Sequence, residues 1–245
     1  MARFRLKIEY DGTSYHGWQK QKNANTVQET IEKALLPLNK GKRVVIHGSG
    51  RTDSGVHALA QIAHFDLSTD LESDTIKNAI NARTPRDIVI HNCDKVDPDF
   101  HARFAARKRY YMYKIHQGNT ALKRNYVWPV DHFLEFDLLE KCAKMVKGDH
   151  DFEGFCRSSD EADHKKCRIY KSTWKIHKKT LIYKICGNRF LHSMVRMLTG
   201  TMIEVARGRY KLEDFSNILE NKNISKRVDP FTAPAKGLYL EKVEY

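Results

Sequence analysis

Residues able to do chemistry crowd one segment, His47-Gly48-Ser49-Gly50-Arg51-Thr52-Asp53-Ser54-Gly55-Val56-His57. Its glycines allow the backbone to turn sharply and to approach a ligand closely. A guanidinium, a carboxylate and an imidazole (Arg51, Asp53 and His57) on such a loop could supply a nucleophile or base with a cation beside it. The Gly-Lys-Ser/Thr ending of a phosphate-binding loop is missing, which disfavours nucleoside triphosphates. Taken alone, the segment also fits a tight turn in which Asp53 caps a backbone amide.

Two further features bear on that choice. Arg189, His192 and Arg196 are spaced i, i+3, i+7 on a predicted helix whose apolar face is Phe190, Met194, Leu198, Met202 and Val205. No acid stands three or four places from Arg189 or Arg196. The stripe therefore suits phosphate or a buried carboxylate, with a solvated charged face as the alternative. The segment Arg107-Lys108-Arg109-Tyr110-Tyr111-Met112-Tyr113-Lys114 reads as a strand with Tyr111 and Tyr113 on one face, Tyr110 and Met112 on the other. Cations interleaved with aromatics suit base stacking on a charged surface. A strand buried on both faces is the bland alternative.

These groups need a scaffold. Phe4, Leu6, Ile8 and Tyr10 alternate with polar residues as a half-buried strand closed by Asp11-Gly12. Thr26 to Glu29 reads as a capping box opening a helix that Pro37 ends. Val44-Val45-Ile46 predicts a short strand into the glycine-rich segment, and 61–67 a returning one. Ser73 is placed to cap a helix to about Ala82, followed by a strand at Ile88-Val89-Ile90. Farther on, Asp137 and Glu140 suggest a second capping box, with Gly148 as the stop. Residues 168–178 and 181–186 predict a hairpin through Lys178-Lys179-Thr180. Helices are expected at about 189–207 and 212–219, and a closing strand from Gly237. The pattern predicts an α+β fold: two mixed halves on one continuous, mainly antiparallel sheet with helices on one face. Residues 1–105 would carry the Asp53 loop, and 106–245 the tyrosine strand and the basic helix.

Composition narrows the partner. Lys and Arg number 43 against 30 acids, a formal net charge of +13 spread along the chain, which points to a polyanion. No apolar run approaches a membrane span, and the alternating N-terminus lacks a signal-peptide core, so a cytoplasmic protein with no membrane partner is expected. The five cysteines contain no C-x-x-C pair. Cys156 and Cys167 with His150 and His164 fit no common zinc spacing.

Several segments then fall into one order. Gly50-Arg51-Thr52-Asp53-Ser54-Gly55-Val56-His57-Ala58 resembles the catalytic motif of the TruA family of tRNA pseudouridine synthases, with Ser54 where the family usually has Ala. Glu9 to Gly12, Tyr15 to Gln21, Phe100 to Phe104, the tyrosine strand, Phe190 to Arg196 and Thr232 to Leu240 follow the family order. The resemblance runs from about residue 6 to 240, and is loose over 156–170. It implies isomerisation of uridine to pseudouridine in the tRNA anticodon stem-loop, positions 38 to 40, with no cofactor and no metal, by a homodimer with an RNA-binding active-site cleft. It implies Asp53 as the essential carboxylate, Arg196 as its basic partner, Arg51 as a residue displacing the target base, and Tyr111 as the ring stacking on uracil. Tyr113, Arg109, Arg189 and His192 are further candidate substrate contacts. Another tRNA or ribosomal RNA target would use the same chemistry. A non-catalytic RNA-binding scaffold would be marked by loss of the carboxylate or of the tyrosine, and neither is lost.

Overall fold

A computed structural model describes residues 1–157, 164–222 and 228–245. The chain gathers into two compact units, Met1–Arg107 with Tyr239–Tyr245, and Lys108–Leu238. The last seven residues thus return to the first unit, for which a simple division near 105 has no provision.

In the first unit the elements are β1 (Ala2–Tyr10), α1 (Val27–Leu35), β2 (His47–Gly48), β3 (His57–Leu67), α2 (Ser73–Asn81) and β4 (Ile88–Val96). Strand β1 is central, antiparallel to β3 on one side and to β4 on the other. Its alternation holds: Phe4, Leu6, Ile8 and Tyr10 are buried while Lys7 and Glu9 are exposed. Helix α1 starts at Thr26, whose hydroxyl accepts from the Glu29 amide, and buries Val27, Ile31 and Leu35. Helix α2 packs on β4 through a face that includes Ile76 and Ile80. Glu72 rather than Ser73 stands at its N-cap. Val44 to Ile46 form no strand. Val44 and Ile46 are buried, and strand pairing begins only at His47.

The second unit holds β5 (Lys108–Gln117), β6 (Trp128–Val130), α3 (Phe136–Met145), β7 (Gly148–Asp151), β8 (Lys166–His177), β9 (Thr180–Gly187), α4 (Met194–Ala206) and α5 (Leu212–Leu219). Strands run β5-β9-β8-β7 with antiparallel neighbours, and β6 lies parallel to β5. The three helices pack on one another, and α3 also on β8. Helix α3 begins one residue after Glu135, so Asp137 lies inside its first turn and makes no capping box. Of the loosely matching 156–170 stretch, residues 158–163 lie outside the described residues.

Strand β10 (Leu238–Glu244) completes the first unit, parallel to β3 with Tyr239 opposite His57 and Leu240 opposite Ala58. Both units are therefore mixed α+β, with mainly antiparallel strands. Among the described residues, no helix is long and apolar enough to cross a membrane.

Candidate active site

The Asp53 loop leaves β2 and re-enters at β3, and buried bonds fix it at nearly every step. Ser49 donates its amide to Ile62 O at 2.7 Å and its hydroxyl to Gln61 Oε1 at 2.7 Å. Gln61, fully buried in β3, returns a bond from Nε2 to Gly50 O at 3.0 Å. The Thr52 hydroxyl meets the Tyr10 hydroxyl at 2.8 Å in the core, and Thr52 O accepts from the Trp18 amide at 3.1 Å. The Val56 amide closes a turn on Asp53 O at 3.1 Å, and the Gly55 amide bonds Tyr15 O at 3.1 Å. Thr52 is buried, whereas Arg51 is exposed and Asp53 half-buried. The loop presents a guanidinium and a carboxylate on a backbone whose freedom has already been removed, the condition for precise catalytic placement.

Residues 9–21 form the socket of this loop. A β-carbon on Gly12 would stand 2.0 Å from Val56 O, and Gly17 (φ +90°) would put one 2.5 Å from Thr52 O. Neither close approach admits a side chain. The N-terminal segments are therefore part of the loop's architecture. His57 belongs to the same framework: it is buried, its Nδ1 accepts from the Gly12 amide at 3.1 Å, and its ring stacks on Tyr239 at 4.8 Å. It is not the third reactive group that spacing alone suggested.

In the second unit, Tyr111 and Tyr113 share a face of β5 but differ in role. Tyr111, 8% exposed, meets Phe190 edge-to-face at 5.1 Å and 84°. This contact fixes the ring's orientation. Tyr113 has no exposed surface; burial pushes its phenol up, and the hydroxyl donates to Pro234 O at 2.6 Å. It packs the core and has no surface to offer a ligand, against the expectation that it contacts substrate. Met112 is buried too, so β5 is packed on both faces.

The predicted basic stripe is not helical throughout. Helix α4 begins at Met194, and Ser193 before it is left-handed (φ 60°, ψ 7°), which stops the helix from extending backward. Arg189 and His192 lie on the preceding turn, and only Arg196 is on the helix. Arg196 is anchored by Nε–H donation to Ala233 O at 2.8 Å, while its own carbonyl accepts from the Ala233 amide at 3.1 Å. Asn188 organises the turn. Its carbonyl accepts from Arg109 Nη1 at 2.7 Å, and its side-chain oxygen from the amides of Arg189 (2.8 Å) and Arg168 (2.9 Å). Arg109 and Arg189 are thus brought to one residue, and His192 is exposed nearby in sequence. Asn188 and the bracing role of Phe190 escaped the sequence reading. A Gly187-Asn188 pair ending a strand was the available signal.

A family model described as tRNA pseudouridine synthase matches residues 7–105 and 142–245, which include the Asp53 loop, its socket, α4 and β10. The chain belongs to the tRNA pseudouridine synthase family. Relatives of that family align end to end. A tRNA pseudouridine synthase A of Geobacillus sp. is 38% identical over 245 residues, covering 99% of this chain and 98% of that one. One of Acetivibrio thermocellus is 41% identical over 247 residues, covering 100% of both. One of Listeria welshimeri is 38% identical over 248 residues, also covering 100% of both.

Proposed function

We propose that the chain isomerises uridine to pseudouridine in tRNA, at positions 38, 39 and 40 of the anticodon stem-loop, with Asp53 as nucleophile or base. The observation that carries this reading is the Asp53 loop itself: a half-buried carboxylate on a backbone fixed by buried bonds, within the span the family model matches. Reactant and product are isomers, so the chemistry balances without oxidant or reductant. The N1–C1′ bond breaks, uracil rotates, C5 bonds to C1′, the C5 proton leaves to solvent, and N1 takes up a proton. A carboxylate serves either by attacking C1′ or by removing the C2′ proton to give a glycal.

The other residues take supporting roles. Tyr111, its ring braced by Phe190, is the platform on which the target uracil stacks after leaving its own stack, a step costing a few kcal/mol. Arg196 partners the carboxylate, and its anchorage to Ala233 limits the geometries it can adopt. Arg51, exposed beside the fixed Thr52, displaces the target base. Arg109, Arg189 and His192 contact the RNA backbone, and the enzyme acts as a homodimer.

The test is tritium release from tRNA carrying 5-tritiated uridine. Wild-type protein releases tritium, and Asp53→Ala abolishes release; activity surviving in that variant overturns the assignment of Asp53. Mapping pseudouridine in RNA from a deletion strain tests the target. Loss should fall at positions 38 to 40, and an unchanged anticodon stem-loop with a site missing elsewhere rejects it.

A further inference from the structure

The segment Phe100 to Phe104 has no part in the roles above, yet it is among the most tightly held turns of the first unit. The amides of Arg103 and Phe104 both donate to His101 Nδ1, at 3.2 and 3.3 Å. The Ala102 amide donates to the buried His64 Nδ1 at 3.2 Å, and Ala102 O accepts from the Tyr245 hydroxyl at 2.9 Å. Phe100 O accepts from Arg3 Nη1 at 3.0 Å, and the Ala105 amide returns to His101 O at 2.9 Å. From this rigid turn Phe104 projects with 78% of its surface exposed.

Its surroundings are aromatic and basic. The His101 ring backs Phe104 at 4.3 Å and 30°, and the Arg103 guanidinium lies 5.8 Å from the ring centre. His101 in turn meets His64 at 4.6 Å and His47 at 5.9 Å. His47 opens β2, the strand that leads into the Asp53 loop. Rings therefore run from Phe104 to the foot of that loop.

We propose that Phe104, backed by His101 and flanked by Arg103, is a stacking platform for an unpaired base of the RNA, separate from the target uridine. The proposal rests on the reading of the chain as an RNA-modifying enzyme. The Arg103 guanidinium beside the ring, on a chain of net charge +13, fits a phosphate-linked base. The turn is already ordered, so binding loses little loop entropy. The ring needs only a π face from its ligand, so the contact positions RNA without reading its sequence.

Equilibrium binding of tRNA to the full chain tests this. Phe104→Ala weakens tRNA binding by about tenfold, within the range for loss of one stacked base. Phe104→Trp retains wild-type affinity, and Phe104→Leu behaves like the alanine variant because it keeps apolar bulk without a π face. At saturating tRNA the single-turnover rate of Phe104→Ala matches wild type, while KM rises. Wild-type binding by Phe104→Ala or by Phe104→Leu overturns the proposal. So does a smaller oligomer for Phe104→Ala in sedimentation, which would make the patch a contact between copies of the chain. Should the alanine variant fail to fold, the leucine and tryptophan variants decide. The reading of Asp53 fails separately, by tritium release from Asp53→Ala, whatever the Phe104 series shows.

Discussion

At the scale of single residues, the first unit relies on polar groups buried in places where only one protonation state works. His64 is the clearest. It is 3% exposed, its Nδ1 holds the Ala102 amide, and burial with His101 and His47 nearby lowers its pKa from 6.5 to about 4. The folded imidazole is neutral where the unfolded one begins to charge. Between pH 6.5 and 4 the unfolded state binds more protons, so stability is full above this window and falls as pH drops through it. From pH 7.5 to 5 the loss is about 2 kcal/mol from this group. Urea denaturation at the two pH values measures it. His64→Asn, which keeps an acceptor near Nδ1 and cannot titrate, should flatten the difference, and an unchanged slope in that variant would show that other groups set it. The motif around Asp53 was legible in the sequence; the bonds that anchor its loop were not. Thr52 reads in the sequence as one more polar loop residue, and only the Tyr10 hydroxyl across the core makes it an anchor of the Asp53 loop.

At the scale of elements, periodicity predicted types better than ends. The hairpin of β8 and β9 was legible through its alternation, as were α1, α5 and β1. The start of α4 was not. Residues 189–193 continue the helical apolar pattern, because Phe190 and Leu191 also pack inward, Phe190 onto Tyr111, but Ser193 turns left-handed and ends the helix there. Periodicity records which side is buried and is blind to a turn that buries the same side. The tyrosine strand misled in the same way: alternation paired Tyr111 with Tyr113, yet β5 is packed on both faces and only bond partners separate their roles. The β8–β9 turn carries a testable strain. Lys178 is exposed and sits at φ 52°, a region that favours glycine. Lys178→Gly should stabilise the chain by about 1 kcal/mol, visible as a higher urea midpoint with an unchanged denaturant slope. A lower midpoint would show that the turn holds this conformation without strain.

At the scale of the whole molecule, charge is the dominant message. The excess of +13 was legible at once, and so was a polyanionic partner; which RNA is bound was not, since contacts to phosphate carry no base code. Binding driven by such contacts releases counterions. Affinity for tRNA should therefore fall on the order of a hundredfold between 50 and 200 mM salt. A flat response in a salt titration would mean that base and shape contacts dominate instead. The two units also show why fold could be read further than site. Most strands and helices are written locally, whereas the Asp53 loop takes its shape from residues 9–21, 61 and 239, distant in sequence and brought to it only by folding.

Strand β10 gives this arrangement a direction in time. A ribosome releases β3 long before β10, so the unit that holds Asp53 lacks its parallel strand until Leu238–Glu244 emerge. Tyr239, which covers His57, and Tyr245, which holds Ala102, both belong to that late part of the chain. A nascent chain stalled anywhere before them exposes the edge of β3 and an unbraced Asp53 loop. The first unit is thus completed only after the whole of the second has been made, and a product released before β10 carries Asp53 without the strand that closes its unit.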